Sequence, residues 1–191
     1  MYRMLVIGFS AGGIPLIKRI LQALPEDYPL AVAIVAHLPG GFESCLAELL
    51  GDISQLPVSM AKDKEAVVAG HVYLAPPDYH LLLENKRHMP GFALSLDAPV
   101  KSVRPSIDVL FESAAEVFEE GLIAVLLSGA NSDGAEGMAY VKQLGGLSIV
   151  LDPQESEFPT MPSAVIKRVD VDYIASMDEI ISLLRSVHEV S

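Results

Sequence analysis

Basic residues are scarce in this chain of 191 residues: 13 lysines and arginines face 25 aspartates and glutamates, a formal net charge of -12. No cluster of Lys or Arg interrupts the acidity, which argues against a nucleic-acid partner, because such binding needs a basic surface to displace counterions. Tryptophan is absent and cysteine occurs once, at Cys45, so an internal disulfide is excluded and a reducing compartment fits. Eight residues after His37, Cys45 reads as a small buried helix residue, not as a nucleophile. Long apolar runs are also missing. No stretch reaches the length of a bilayer span, and Met1-Tyr2-Arg3 leads into a strand without a secretion-signal pattern. A cytoplasmic location with no direct membrane insertion is expected.

What is present is a globular composition, 51% apolar and 20% charged, with enough length for one domain with a large core. No repeat, linker or low-complexity stretch divides residues 1–191, so one domain is expected. Strands are read at Leu5-Val6-Ile7, at the continuously apolar run Ala31 to Ala36, at Leu122 to Leu127, at Leu147 to Leu151 and at Val171 to Ala175. Continuous apolarity marks strands covered on both faces. Helical spacing follows each: Ile14, Ile17, Leu21, Leu24; then Glu43 to Leu50; Ala135 to Leu144; Pro162 to Lys167; and a last helix opened by the capping box Ser176-x-x-Glu179. Another helix opens at Pro105-Ser106 and presents Ile107, Leu110, Phe111, Ala114, Val117 and Phe118 on one face. Short β-rich pieces between Leu56 and Leu96 read as an antiparallel patch at the edge of the sheet. The fold class is α/β, a doubly wound, mainly parallel sheet with a small antiparallel β patch.

The first strand ends in Gly8-Phe9-Ser10-Ala11-Gly12-Gly13. G-x-S-x-G at a strand-to-helix junction is the setting of a nucleophile elbow, in which Ser10 is lifted from the sheet. Gly8 and Gly12 permit the sharp turn, and Gly13 would let the backbone approach a substrate. Phosphate binding is the competing reading of a Gly-rich turn after a first strand. The dinucleotide fingerprint, however, wants glycine where Ser10 stands and an acidic residue where His37 ends the second strand.

In a parallel sheet with right-handed crossovers, the loops after the strands gather on one edge. Ser10, His37 and Asp133 each follow an apolar strand, so all three belong on that edge, as nucleophile, base and orienting carboxylate require. The chain order Ser, His, Asp differs from the Ser, Asp, His order of α/β-hydrolases, so a triad here belongs to another topology. His71, His80, His88 and His188 make no metal-ligand pattern, and no metal is expected. His80, after Pro76-Pro77-Asp78, reads as structural.

The motifs VIGFSAGG, AHLPGGF, VYLAPPDYHLLL, VRPSIDVLFESAA, LLSGANSDGAEGM and FPTMP occur in that order. From Met4 to about Leu184 the chain resembles the catalytic domain of the chemotaxis protein-glutamate methylesterases, the CheB type. The resemblance implies a serine hydrolase that removes methyl groups from glutamate γ-methyl esters of a methyl-accepting chemotaxis receptor, with glutamine deamidation in many members and no cofactor. It assigns catalysis to Ser10, His37 and Asp133. Ala11, Gly12, Ala130, Arg104 and Met161 fall on the oxyanion and substrate-binding motifs, with the Ala11 N–H and a donor from Gly129 to Asn131 expected at the oxyanion. Ala11, Ala130 and Ala36 stand where the family usually has threonine, methionine and glutamine, so the rim of the pocket differs. A binding module of the same fold, docking on a receptor or an anionic ligand without turnover, is the alternative. A phosphorylatable receiver domain precedes the catalytic domain in the family's best-known architecture. With the first strand beginning within a few residues of Met1, control is expected from a regulator in trans, and the acidic charge would favour a basic one.

Overall fold

A computed structural model describes residues 2–37, 43–86 and 89–189; Leu38 to Gly41 and His88 lie outside the described residues, as does the His188 side chain. Among the described residues there are nine strands and six α-helices: β1 (Met4–Phe9), α1 (Ile14–Ala23), β2 (Ala31–Ala36), α2 (Glu43–Gly51), β3 (Val58–Met60), β4 (Val72–Leu74), β5 (His80–Lys86), β6 (Met89–Ser95), α3 (Ile107–Phe118), β7 (Leu122–Leu126), α4 (Ala135–Gln143), β8 (Leu147–Leu151), α5 (Thr160–Arg168), β9 (Tyr173–Ala175) and α6 (Met177–Glu189). Seven strands form one sheet in the order β3-β4-β2-β1-β7-β8-β9, and every pairing in it is parallel. Strands β5 and β6 make a separate antiparallel hairpin.

Alternation along the strands splits the core in two. Val6, Ala33, Val35, Ala124 and Val150 face α3, α4, α5 and the hairpin. Leu5, Ile7, Val32, Ile34, Val125 and Ile149 face α1, α2 and α6. Helices on both faces explain why these strands carry no polar alternation. The capping box that starts α6 is formed: Glu179 Oε2 accepts the Ser176 N–H at 2.8 Å, and Ser176 Oγ accepts the Glu179 N–H at 3.3 Å.

Three expectations are corrected. Of the short pieces read as antiparallel, β3 and β4 instead join the main sheet in parallel register, with Val58 opposite Val72, and the antiparallel patch is the β5–β6 hairpin. Cys45 is exposed, since α2 turns Leu46 and Leu50 into the core and leaves Cys45 on the other side. Gly13 serves packing and not substrate approach, as a Cβ there would come within 2.6 Å of the Phe9 Cβ.

Candidate active site

Chain order reverses beside β1, which pairs with β2 on one side and β7 on the other. Beyond the carboxyl ends of strands at such a switch point, an α/β sheet leaves a crevice. Ser10 and His37 follow β1 and β2 directly. Their strands pair up to Phe9 opposite Ala36, and the His37 N–H continues the ladder to the Phe9 carbonyl at 3.0 Å. Ser10 and His37 are therefore the next pair in register, on strands about 4.8 Å apart, and alternation puts both on the face covered by α3 and α4.

The Ser10 turn is held by the loop after β7. The Ser10 N–H donates to the Ser128 carbonyl at 2.8 Å. Ser128, fully buried, donates its hydroxyl to the Ala11 carbonyl at 2.8 Å and accepts the Phe158 N–H at 3.1 Å. Gly12 adopts φ +75°, which disfavours any residue with a Cβ. Gly129 lies against Ser10: a Cβ added there would meet the Ser10 Cβ at 3.0 Å and the Met161 Sδ at 2.6 Å.

Asp133 is fully buried at the start of α4. Its Oδ2 lies 2.9 Å from His37 Nε2 and accepts the Ile107 N–H at 2.6 Å. Its Oδ1 accepts the Ser106 hydroxyl at 2.8 Å and the Asp108 N–H at 3.2 Å. The carboxylate thus caps the N-terminus of α3, where unpaired N–H groups and the helix dipole favour negative charge. Burial by itself would push this carboxyl up, but the His37 imidazole, the Ile107 N–H and the Ser106 hydroxyl outweigh it and hold the group down at about 2. At His37 the approach is close but its angle falls short of a straight hydrogen bond, as catalytic hydrogen bonds often do until substrate is engaged.

Asp108 returns the arrangement. From the first turn of α3, its Oδ1 accepts the Glu136 and Gly137 N–H groups of α4 at 3.0 and 2.8 Å. Burial raises the Asp108 carboxyl, with the Asp133 charge adding to it, against the Gly137 N–H and Lys101. Lys101 Nζ donates to Asp108 Oδ2 at 2.7 Å and to the Ser132 carbonyl at 3.1 Å, which ties down the Asp133 loop. Each helix start is capped by a carboxylate from the other.

Of the other sequence-derived residues, Ala11 and Gly12 lie in the Ser10 turn, partly exposed, and Ala130 is exposed at the opposite lip. The Ala11 and Ala130 N–H groups take no partner among the described residues, whereas the Gly129 N–H already donates to the Phe158 carbonyl at 3.0 Å. Met161 is fully buried and backs Gly129, offering no surface to solvent. Arg104 Nη1 donates to the Leu96 and Asp97 carbonyls, both at 3.0 Å, and so anchors the segment after β6. His80 is buried, with Nδ1 accepting the Ser106 N–H at 3.2 Å and Nε2 lying 3.1 Å from the Ala98 carbonyl. The sequence marks Ser106 as a helix start but gives no site role to Ser106, Asp108 or Ser128. Ser106-x-Asp108 does carry a helix-start signature, but nothing local says which carboxylate it faces. Among the described residues, no group of three or more His, Cys, Asp or Glu could hold a metal ion, and no helix is long and apolar enough to cross a membrane.

The family model for CheB methylesterase matches residues 5–184. The chain belongs to this family. A protein of Leptospira interrogans named as a protein-glutamate methylesterase/protein-glutamine glutaminase is 42% identical over 182 residues, covering 95% of this chain and 93% of that one. A Thermotoga maritima protein of the same activity name is 37% identical over 172 residues, 90% of this chain but 50% of its own. This CheB-family chain therefore spans nearly all of the first relative and half of the second. The crystal structure of the Thermotoga maritima CheB methylesterase catalytic domain superposes with a TM-score of 0.94 at 35% identity, covering 98% of this chain and 99% of that one. The α/β architecture, with its parallel sheet and single hairpin, is that of the family.

Proposed function

We propose that this methylesterase hydrolyses glutamate γ-methyl esters of a methyl-accepting chemotaxis receptor in the cytoplasm, with Ser10 as nucleophile, His37 as general base and then acid, and Asp133 as the group that holds the imidazole. The observation that carries the reading is the 2.9 Å approach of His37 Nε2 to the buried Asp133 carboxylate, beside a register that ends at Phe9 opposite Ala36 and so leads Ser10 and His37 out side by side. Ser10 Oγ attacks the ester carbonyl while His37 takes its proton. The imidazolium that forms is stabilised by Asp133, already anionic because α3 holds it so. The Ala11 and Ala130 N–H groups, free of other partners among the described residues, receive the oxyanion. His37 returns the proton to the departing methoxide, and water, activated by the same imidazole, hydrolyses the acyl-enzyme. Glutamine deamidation, carried in the names of the relatives, needs only ammonia in place of methanol as leaving group. Gly12 keeps the turn open to substrate, while Met161 backs Gly129 and Arg104 anchors the segment after β6, both acting on the pocket from behind.

The test is methanol release from a methylated receptor fragment, with fluorophosphonate labelling in parallel. Ser10→Ala is expected to abolish labelling and to lower turnover about a million-fold with the fold retained. Wild-type turnover by a folded Ser10→Ala protein removes Ser10 from the mechanism. Labelling without methanol release would favour a different ester as substrate.

A further inference from the structure

Besides Asp133, Asn131 brings a polar side chain to the His37 ring. The direction of its carboxamide is set by a neighbour. Asn131 Oδ1 accepts the Asp133 N–H at 3.1 Å, a place only the oxygen can fill. That turns Nδ2 toward His37 Nδ1, at 3.4 Å. On the far side of the ring, Nε2 lies 2.9 Å from the Asp133 carboxylate. Between an anion at Nε2 and an amide donor at Nδ1, the neutral ring carries its proton on Nε2 and leaves Nδ1 bare. Nδ1 is therefore the nitrogen that takes the Ser10 proton, and in the resting site an amide N–H already occupies it.

We propose that Asn131 is a further catalytic residue of this chain, whose side-chain amide rests on His37 Nδ1 before attack and moves to the oxyanion as the proton arrives there. The inference rests on Ser10 being the nucleophile. As Ser10 Oγ bonds to the ester carbon, its proton passes to Nδ1 and the carbonyl π pair moves onto oxygen. Nδ1 is then an N–H, a donor facing the Asn131 donor, so the amide loses its acceptor at the moment a stronger one forms beside Ser10. The distance to cover is short. Gly129, two residues before Asn131, lies so close to Ser10 that even a Cβ would be within 3.0 Å of the Ser10 Cβ. When the intermediate collapses, the electron pair reforms the carbonyl, the bond to the methoxy oxygen breaks, and Nδ1 gives its proton to methoxide. Nδ1 is bare again and the amide returns to it.

A donor engaged only in the transition state affects kcat and not KM, and losing one oxyanion donor costs about 10²–10³ in kcat. Asn131→Ala removes both the donor and the acceptor for the Asp133 N–H. Asn131→Asp keeps that acceptor and the size of the side chain but has no N–H to give. Methanol release from a methylated receptor fragment is measured across pH for both, beside their melting temperatures. Both are expected to lose about 10²–10³ in kcat on their pH plateau, with KM unchanged; the melting temperature should hold for Asn131→Asp and fall for Asn131→Ala, which leaves the Asp133 N–H without its acceptor. Asn131→Asp should also move the acid limb of kcat/KM to higher pH, because a carboxylate beside Nδ1 favours the protonated ring. Wild-type kcat in either variant overturns the inference; for Asn131→Asp alone it would mean that the residue only holds the turn. A loss confined to KM, or one that tracks falling melting temperature in both, overturns it as well. Fluorophosphonate labelling of the wild type separates the two levels. An unlabelled, inactive wild type brings down the serine-hydrolase reading and this inference with it, whereas an active, labelled wild type with indifferent variants overturns this inference alone.

Discussion

Replacing Asp133 by asparagine changes one atom type in the buried centre of the site, and the structure sets the cost. Both carboxylate oxygens accept. Oδ2 takes the Ile107 N–H and faces His37 Nε2, while Oδ1 takes the Ser106 hydroxyl and the Asp108 N–H. An amide has one oxygen, so either flip sets an NH₂ group against a backbone N–H of α3. With the oxygen kept toward His37, Ser106 can rotate to accept, but the Asp108 N–H is orphaned. With the oxygen turned the other way, Ile107 loses its acceptor and the imidazole faces a donor. An orphaned buried donor costs about 1–3 kcal/mol. The ionised carboxylate is also a source of stability. Its pKa falls from an ordinary 3.8 to about 2, which at about 1.36 kcal/mol per unit is on the order of 2 kcal/mol. Because the folded-state value is the lower one, that stabilisation is fully present above about pH 4 and is lost as pH falls toward about 2. For a protein of this size, Asp133→Asn should melt several degrees lower at neutral pH and lose the part of the wild type's acid sensitivity that this group supplies. Turnover should fall by about 10⁴, the scale seen when a triad carboxylate becomes an amide. The assays are thermal melts by circular dichroism between pH 2 and 7, and methanol release at neutral pH. A variant that melts like the wild type and turns over within about ten-fold of it would refute the reasoning, because Asp133 would then neither cap α3 nor hold His37.

Two further outcomes test the frame around the nucleophile. Gly129→Ala places a methyl group against Ser10 and Met161; a displacement of Ser10 by about 1 Å should cost on the order of 10²-fold in kcat/KM, checked by the rate of fluorophosphonate labelling, and an unchanged rate would mean the loop yields without moving Ser10. Ser128→Ala deprives the Ala11 carbonyl of its donor and the Phe158 N–H of its acceptor, so urea unfolding should show a loss of about 1–3 kcal/mol, and a smaller loss would mean that water replaces the hydroxyl.

The sheet was legible because its central strands are covered on both faces, and continuous apolar runs such as Ala31 to Ala36 have no competing reading at that length. Strands β3 and β4 were not. Three residues carry no pattern that reveals the direction of a partner, and the turn-rich sequence around them favoured hairpins. That Ser10, His37 and Asp133 would gather was legible because each follows a strand and the topology sends all three to one edge. What fixes Asp133 was hidden, since the pairing of the α3 and α4 starts is a contact between residues more than 20 positions apart. The engagement of the Gly129 N–H by Phe158 was hidden for the same reason. Asn131 stood inside a recognised motif, yet its spacing gives only a loop position and not a carboxamide direction, which depends on the Asp133 N–H two residues on.

The two buried carboxylates bear on how so acidic a chain keeps a negative charge beside His37. With a net charge of -12, the surface field opposes another buried anion, and no arginine or lysine contacts Asp133 among its hydrogen-bond partners. Its donors are two backbone N–H groups, one hydroxyl and the imidazole. Fixed peptide dipoles cost no reorganisation when charge moves in the reaction. They also leave Asp133 free of a cation that would compete with the imidazolium formed on His37. Lys101 is directed to Asp108 instead, so the second anion is neutralised and the first remains available. Asp108 raised by burial and Asp133 lowered by its donors are two environments for chemically identical groups, and only the carboxylate that stays ionised without a cation can stabilise the positive charge that catalysis creates.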